Sequence, residues 1–159
     1  MRLVLSFTTL LLVAVIVYQW KYEEYDFSGT RWHCSETQMG FTSKAYGNYD
    51  KIEELTTIYF PTNGSALYYQ SGTLTHKNGD IEPFELVVTS KNKIVANRIE
   101  QTFTSVDWSE KPLNSPLFIR DKNSAVGYES ELNYYIDGKK LYFFSKSGSE
   151  EDNYACHKV

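Results

Sequence analysis

The sequence contains none of the short motifs that mark the common catalytic sites. A G-x-S-x-G nucleophile elbow, a zinc-binding H-E-x-x-H and a phosphate loop ending in Gly-Lys-Ser/Thr are all absent. Histidine is also scarce, since 3 residues leave little room for a nucleophilic triad. Neighbouring carboxylates such as Glu53 and Glu54, or Glu129 and Glu131, occur in strand-like or solvent-facing contexts. We therefore expect a protein that is not an enzyme and that needs no cofactor.

Positive charge is in short supply as well. When Arg2 is set aside, the 16 basic residues of the chain become 15, against 20 acidic ones. A nucleic-acid-binding domain needs a basic surface, and so does a protein that adsorbs to anionic lipid. The acidic balance argues against both kinds of direct partner.

Cysteine is limited to Cys34 and Cys156, so only one intramolecular disulfide can form. The pairing would bring the first and last extended segments together, which is typical of a closed sheet. If these strands are antiparallel, His33 lies opposite His157. Such a pair could share a metal or form a pH-dependent latch, but two ligands make a poor metal site. We predict two ordinary surface histidines and no metal.

The N-terminal region is the longest apolar part of the chain. Leu3–Trp20 contains no charged residue, and as a helix it would span roughly 27 Å, close to the thickness of a bilayer core. A cleaved signal peptide is the alternative, but it would end in small residues, whereas this run ends in bulky ones. We predict residues 1–2 as a cytoplasmic tail, 3–20 as an uncleaved transmembrane signal anchor, 21–29 as a linker and 30–159 as an exported domain.

The exported domain has the pattern of an antiparallel β-meander. Asn63-Gly64, Asn78-Gly79 and Asp137-Gly138 are typical of tight hairpins, and residues 111–124 form the longest irregular connection. A short helical turn is possible near residues 48–55. Segments rich in Val, Ile, Thr, Tyr and Phe define about eight strands, at residues 30–37, 53–60, 65–76, 81–90, 93–107, 126–136, 139–146 and 152–158. The predicted fold is all-β, a small antiparallel barrel that follows one N-terminal transmembrane helix.

Aromatic doublets recur along these strands, for example Tyr68-Tyr69 and Tyr134-Tyr135. Adjacent strand residues face opposite sides, so each doublet places one ring inside and one outside. The outward rings have two interpretations. They are either good strand formers that tolerate exposure, or a patch that contacts a protein partner.

The start of the domain resembles the opening of the lipocalin-like (calycin) barrels. Those proteins carry Gly-x-Trp on their first strand, and here Gly29 and Trp32 are one residue further apart. In that group the tryptophan closes the base of the barrel. The resemblance implies this role for Trp32.

The layout of the whole chain is similar to that of the ToxS/VtrC-like membrane-anchored co-regulators. These have a very short cytoplasmic tail, one membrane pass and a periplasmic β domain of about this size. The resemblance implies a protein of the bacterial inner membrane with its C-terminal domain in the periplasm. It also implies a heterodimer with a membrane-bound transcription regulator, which the protein stabilises, and a barrel chamber that accepts bile salts.

Inward-facing rings are the candidate contacts for such a bile salt or other amphipathic apolar ligand. The alternative is that these rings fill a dry core. A stand-alone, membrane-tethered lipid-binding protein is the main alternative function, and an envelope enzyme or inhibitor is a third. The candidate ligand contacts are Phe60, Tyr68, Phe84, Phe103, Tyr134 and Phe143.

Overall fold

The computed structural model describes residues 11–15, 25–145 and 154–159. Residues 11–15 are helical, while the rest of the predicted anchor and residues 21–24 of the predicted linker lie outside the described residues. No helix within the described ranges is long and apolar enough to cross a membrane. The elements are β1 Thr30–Met39, β2 Tyr49–Thr62, β3 Ser65–His76, β4 Ile81–Val95, β5 Arg98–Glu110, α1 Pro116–Asn123, β6 Glu129–Asp137, β7 Lys140–Ser145 and β8 Tyr154–Lys158.

The strands form a closed antiparallel barrel in which each strand pairs with the next and β8 returns to β1. This confirms the predicted all-β barrel. Cys34 and Cys156 lie opposite each other in the β1–β8 ladder, with their Cα atoms 4.2 Å apart, and form the predicted disulfide. The bond joins positions separated by 122 residues, so it ties the beginning of the barrel to its end.

Two local expectations about secondary structure are wrong. Residues 48–55 form no helical turn, because β2 begins at Tyr49 and pairs on both sides with β1 and β3. The irregular connection after β5 contains α1, which begins at Pro116 and buries Phe118. Proline is favoured in the first turn of a helix because its fixed φ already suits one. For residues 48–55, pairing with strands distant in sequence decides the local conformation, whereas Pro116 is a local signal for the start of α1.

One end of the barrel, here the closed end, is filled by aromatic side chains. Phe27 is fully buried, with its ring centroid 4.7 Å from that of Phe60 and 5.0 Å from that of Tyr134. Trp32 is also fully buried, and the Lys158 ammonium on β8 lies 5.6 Å from its ring centroid. Residues 25–29 therefore pack as part of the barrel, although the sequence pattern assigns them to the linker.

Each aromatic doublet divides between the two faces of the barrel, as strand alternation predicts. Tyr68 is buried and Tyr69 is exposed, and the same holds for Tyr134 and Tyr135. The outward rings do not form a single patch, however. Tyr135 stacks on Tyr142 of β7 with centroids 6.2 Å apart, whereas Tyr69 lies on β3, beyond β8, β1 and β2 in the barrel order.

We expect the double substitution Cys34→Ser with Cys156→Ser to lower the free energy of unfolding by about 2–5 kcal/mol. Opening the cross-link restores conformational freedom to the unfolded chain. Urea denaturation of the variant and of the oxidised wild type measures the difference. Wild type under reducing conditions is the matched control and should behave like the variant. An unchanged unfolding midpoint in all three samples would contradict this role for the bond.

Candidate functional site

The end of the barrel opposite the closed end is covered by residues 111–128, here called the lid. Its helix α1 lies against inward-facing side chains of several strands. Phe118 packs on Phe84 of β4, with ring centroids 4.9 Å apart. Lys122 donates to the Glu54 carboxylate on β2 at 2.6 Å and to the Gln70 side-chain oxygen on β3 at 3.1 Å. These contacts place the helix across the mouth of the barrel.

A buried hydrogen-bond cluster anchors the start of the lid to β4. The Glu82 carboxylate accepts from the Ser115 hydroxyl at 2.5 Å and from the Asn114 amide at 2.6 Å, and it lies 2.9 Å from His76 Nε2. Burial alone would raise the pKa of Glu82, but the donors Ser115, His76 and Asn114 outweigh it and lower the pKa. Glu82 therefore holds the lid as a charged carboxylate.

The same three side-chain types occur in nucleophilic triads, but their order here is different. In a triad the imidazole lies between the hydroxyl and the carboxylate. Here the Ser115 hydroxyl donates directly to the Glu82 carboxylate. One imidazole nitrogen, His76 Nε2, faces both groups, at 2.9 Å from Glu82 and 3.4 Å from the Ser115 hydroxyl. Ser115 is only 1% exposed, so a substrate has no access to its hydroxyl. This geometry suits an anchor for the lid and not an activated nucleophile.

Beneath the lid, the barrel interior contains a cavity of about 230 Å³. Its apolar wall includes Ile58, Val88 and Phe103. Its polar lining includes the Tyr68 hydroxyl, which donates to the side-chain oxygen of Gln101 at 2.6 Å. Burial raises the pKa of Tyr68, so this hydroxyl keeps its proton at neutral pH. The interior therefore combines apolar contact area with groups that can orient a ligand.

Two glutamates stand at the rim of this cavity. Glu36 on β1 and Glu54 on β2 are direct cross-strand partners, and both line the 230 Å³ cavity. Both also line a second cavity of about 170 Å³ that reaches Phe118 and Lys122 of the lid. Glu54 is paired with Lys122 at 2.6 Å. The two cavities thus adjoin at a charged rim.

A wider cleft continues from Glu36 to the loop between β1 and β2. It measures about 440 Å³ and extends along the end of β1 to Phe41 and Tyr46. Glu36 is the residue that lines all three spaces. We call these three adjoining spaces the trough.

The structure places two of the six predicted ligand contacts on the trough. Tyr68 and Phe103 both line the 230 Å³ cavity. Their rings meet edge to face, with centroids 5.8 Å apart. Phe103 is only partly buried, so its ring is available to a ligand.

The other four predicted contacts lie elsewhere in the core. Phe60 and Tyr134 belong to the closed end, and Phe84 lies beneath the lid helix. Phe143 packs against Tyr154 of β8, with centroids 4.8 Å apart. The role of all six rings in ligand binding stays a prediction.

The polar residues of the trough were not among the predicted site residues. Alternation could have identified Glu54, which shares the inward face of β2 with Ile52 and Ile58. The same pattern applies to Gln101, which follows the inward Ile99 at a spacing of two on β5. No local signal pointed to Lys122, because its role depends on where the lid helix comes to lie.

The histidine pair adopts the register expected from the disulfide. His33 and His157 are cross-strand partners and both are exposed. However, His33 Nδ1 lies 2.8 Å from the Thr57 hydroxyl on β2, the strand on its other side. Across the described ranges, no group of three or more His, Cys, Asp or Glu residues could hold a metal ion.

Comparison with known proteins found no family model and no curated protein that matches this chain. The fold and the trough define only a broad class, that of small antiparallel β-barrels with an internal cavity.

We expect Glu82→Gln to lower the free energy of unfolding by about 1–3 kcal/mol at neutral pH, since it removes charge-assisted hydrogen bonds to the lid. It should also make the free energy of unfolding less dependent on pH at acidic pH. In the folded state the pKa of Glu82 is below its ordinary value of 4.5, so the stabilisation by its carboxylate is fully present above that pH. The contribution is lost as the pH falls through the folded-state pKa.

Urea denaturation over a series of acidic pH values tests this expectation. Glu53→Gln is the matched control, because Glu53 is an exposed carboxylate on the outer face of β2 that pairs with Lys51. If the free energy of unfolding falls equally steeply with acidic pH in wild type and in Glu82→Gln, Glu82 does not hold the lid.

Proposed function

We propose that this protein is a non-catalytic, membrane-anchored partner of a membrane-bound transcription regulator in the bacterial periplasm. Its barrel helps to form a chamber for an apolar or amphipathic ligand, with bile salts as the class that the resemblance to the co-regulators indicates. The observation that carries the proposal is the 230 Å³ cavity inside the barrel, with Phe103 on its wall and the Tyr68–Gln101 pair facing it.

The size of the cavity favours a shared chamber. Pockets for drug-sized ligands commonly measure about 300–1,000 Å³, which exceeds the 230 Å³ of the inner cavity. A sterol-sized molecule would also need the adjoining cavity of 170 Å³ or the wider cleft. Additional wall supplied by a partner would enclose such a ligand more fully.

The end of β1 offers a place for that partner. The ladder between β1 and β8 extends only from Trp32 to Cys34. Residues 35–39 are exposed, and among the described residues they pair with β2 alone. An edge with no second partner strand among the described residues is a template for a strand from another chain. A partner strand added here would border the trough directly.

The exposed rings of β6 and β7 supply a second candidate contact surface. Tyr135 and Phe144 are 60% and 41% exposed, and Tyr142 stacks beside Tyr135. Tyrosine and phenylalanine are enriched at protein interfaces. The surface lies on β7, which pairs with β8, and on the next strand β6, close to the place where the barrel closes.

A stand-alone, membrane-tethered lipocalin-like protein that binds lipid is the second candidate function. The same interior cavity supports it. The two functions differ in whether the full-length protein has an obligate membrane partner.

We expect Phe103→Ala to weaken the binding of taurodeoxycholate about tenfold, because an aromatic wall of the cavity is lost. Equilibrium dialysis of the full-length protein against the bile salt below its micelle concentration measures the affinity. Phe144→Ala removes an aromatic ring from the outer face and is the matched control. Failure of the wild type to bind either the bile salt or a neutral steroid would contradict the ligand-binding proposal.

For the partner, we expect purification from native membranes in mild detergent to yield a one-to-one complex with a protein that has a cytoplasmic DNA-binding domain. Mass spectrometry gives the stoichiometry. Tyr135→Asp should reduce the yield of the complex, since it places a charge on the exposed aromatic surface of β6 and β7. Tyr69→Asp changes an exposed ring on β3 and should not. A folded protein that is recovered alone would favour the stand-alone function.

A further inference from the structure

We propose that the trough selects small cationic amphiphiles, which combine an aromatic or alkyl body with an ammonium head, over anionic ligands of the same size and shape. The inference rests on the proposed function, namely that the barrel interior binds a ligand. It narrows the ligand class by charge.

The charges that border the two cavities beneath the lid come from Glu36, Glu54 and Lys122 in the described part of the chain. Lys122 is committed to Glu54 at 2.6 Å and also donates to Gln70. Glu36 accepts a hydrogen bond from the neutral amide of Gln38 at 2.6 Å, and its carboxylate has no cationic partner among the described residues. Among the residues that the structure describes, the trough therefore carries one uncompensated negative charge.

The position of this charge suits a ligand with one charged end. Glu36 stands where the 230 Å³ cavity, the 170 Å³ cavity and the outer cleft meet. An ammonium at Glu36 remains close to solvent in the cleft, so its desolvation cost is small. The attached ring can then enter the inner cavity between Ile58, Val88 and Phe103.

Aromatic side chains that line the same spaces as Glu36 reinforce the preference for a cation. Tyr68, Phe103 and Tyr154 line the inner cavity, and Tyr46 lines the two outer spaces. The negative face of an aromatic ring attracts an ammonium group within about 6 Å. An anion placed at the same position would meet the Glu36 carboxylate, and Lys122 is already neutralised by Glu54.

This charge pattern constrains how a bile salt could occupy the trough. Its acidic group would have to point away from Glu36, so its steroid hydroxyls would face the carboxylate. A cationic amphiphile of similar size has no such restriction and should compete with it effectively.

An isosteric series of indole ligands isolates the effect of the head group. Tryptamine is cationic, tryptophol is neutral and indole-3-acetate is anionic, whereas the ring is the same. Isothermal titration calorimetry would use the full chain in nanodiscs of zwitterionic lipid, with empty nanodiscs as the blank. We expect tryptamine to bind about three- to fivefold more tightly than tryptophol, the upper range for an exposed charge pair, and indole-3-acetate to bind most weakly.

Substitution of neighbouring carboxylates tests whether Glu36 is responsible. Glu36→Gln should reduce the preference for tryptamine over tryptophol to less than twofold. Glu53→Gln makes the same change in charge on the outer face of β2 and should leave the preference intact. Circular dichroism checks the fold of both variants. Added salt should reduce the preference of the wild type because salt screens the interaction, and this result does not depend on any variant.

The outcomes separate this inference from the proposed function. Equal affinity for all three ligands, or a preference for indole-3-acetate, would overturn the charge selection and leave ligand binding in place. An equal loss of preference in Glu36→Gln and Glu53→Gln would overturn the role of Glu36. Failure of all three ligands to bind the wild type would overturn the inference, whereas the dialysis against taurodeoxycholate and a neutral steroid decides the proposed ligand chamber separately.

Discussion

The covalent link between Cys34 and Cys156 holds β8 against β1 in one register. Strand side chains alternate with a period of two, so a shift of one residue would turn every side chain of β8 to the opposite face. The register fixed by the bond directs Trp32 and Cys34 inward and places Lys158 over the Trp32 ring. The same alternation brings Glu36 to the rim of the trough. Both the aromatic closed end and the charged mouth therefore depend on how the barrel closes.

The two ends of the barrel are sealed by different physical means. At the closed end, Phe27 packs against the rings of Phe60 and Tyr134. The few polar atoms there are hydrogen-bonded locally, the Tyr134 hydroxyl to the Ala96 carbonyl and the Trp32 indole N–H to the Thr30 hydroxyl. At the mouth, the lid is held largely by polar contacts, with Glu82 at its start and Lys122 in its helix. Polar anchors depend on pH and salt to a degree that apolar packing does not. The mouth is thus the end of the barrel whose stability responds to conditions.

The polar side chains Tyr68 and Gln101 of the interior cavity have hydrogen-bond partners within the barrel. Tyr68 donates to Gln101, and the Gln101 amide donates in turn to the Ser130 hydroxyl at 2.8 Å. An unpaired buried donor would cost free energy comparable to a lost hydrogen bond. Because Tyr68 and Gln101 are hydrogen-bonded within the barrel, their side chains are held in place, and a ligand can form hydrogen bonds with them. For the proposed ligand chamber, this means that the barrel itself positions the polar groups.

Local patterns in the sequence determined which segments are strands, which rings of each doublet face inward, and that the two cysteines join the ends of the chain. The strands and the direction of each ring follow from the period of two and from the hairpin turn residues, which act over short distances. The disulfide follows because two cysteines allow only one pairing. Three features depended on the tertiary structure. Phe27 is buried in the barrel, Tyr49 lies in a strand, and Lys122 forms an ion pair with Glu54. Each requires two segments distant in sequence to be brought together by barrel closure. The charged trough belongs to this second group, because its wall comes from different strands and part of its charge from the lid.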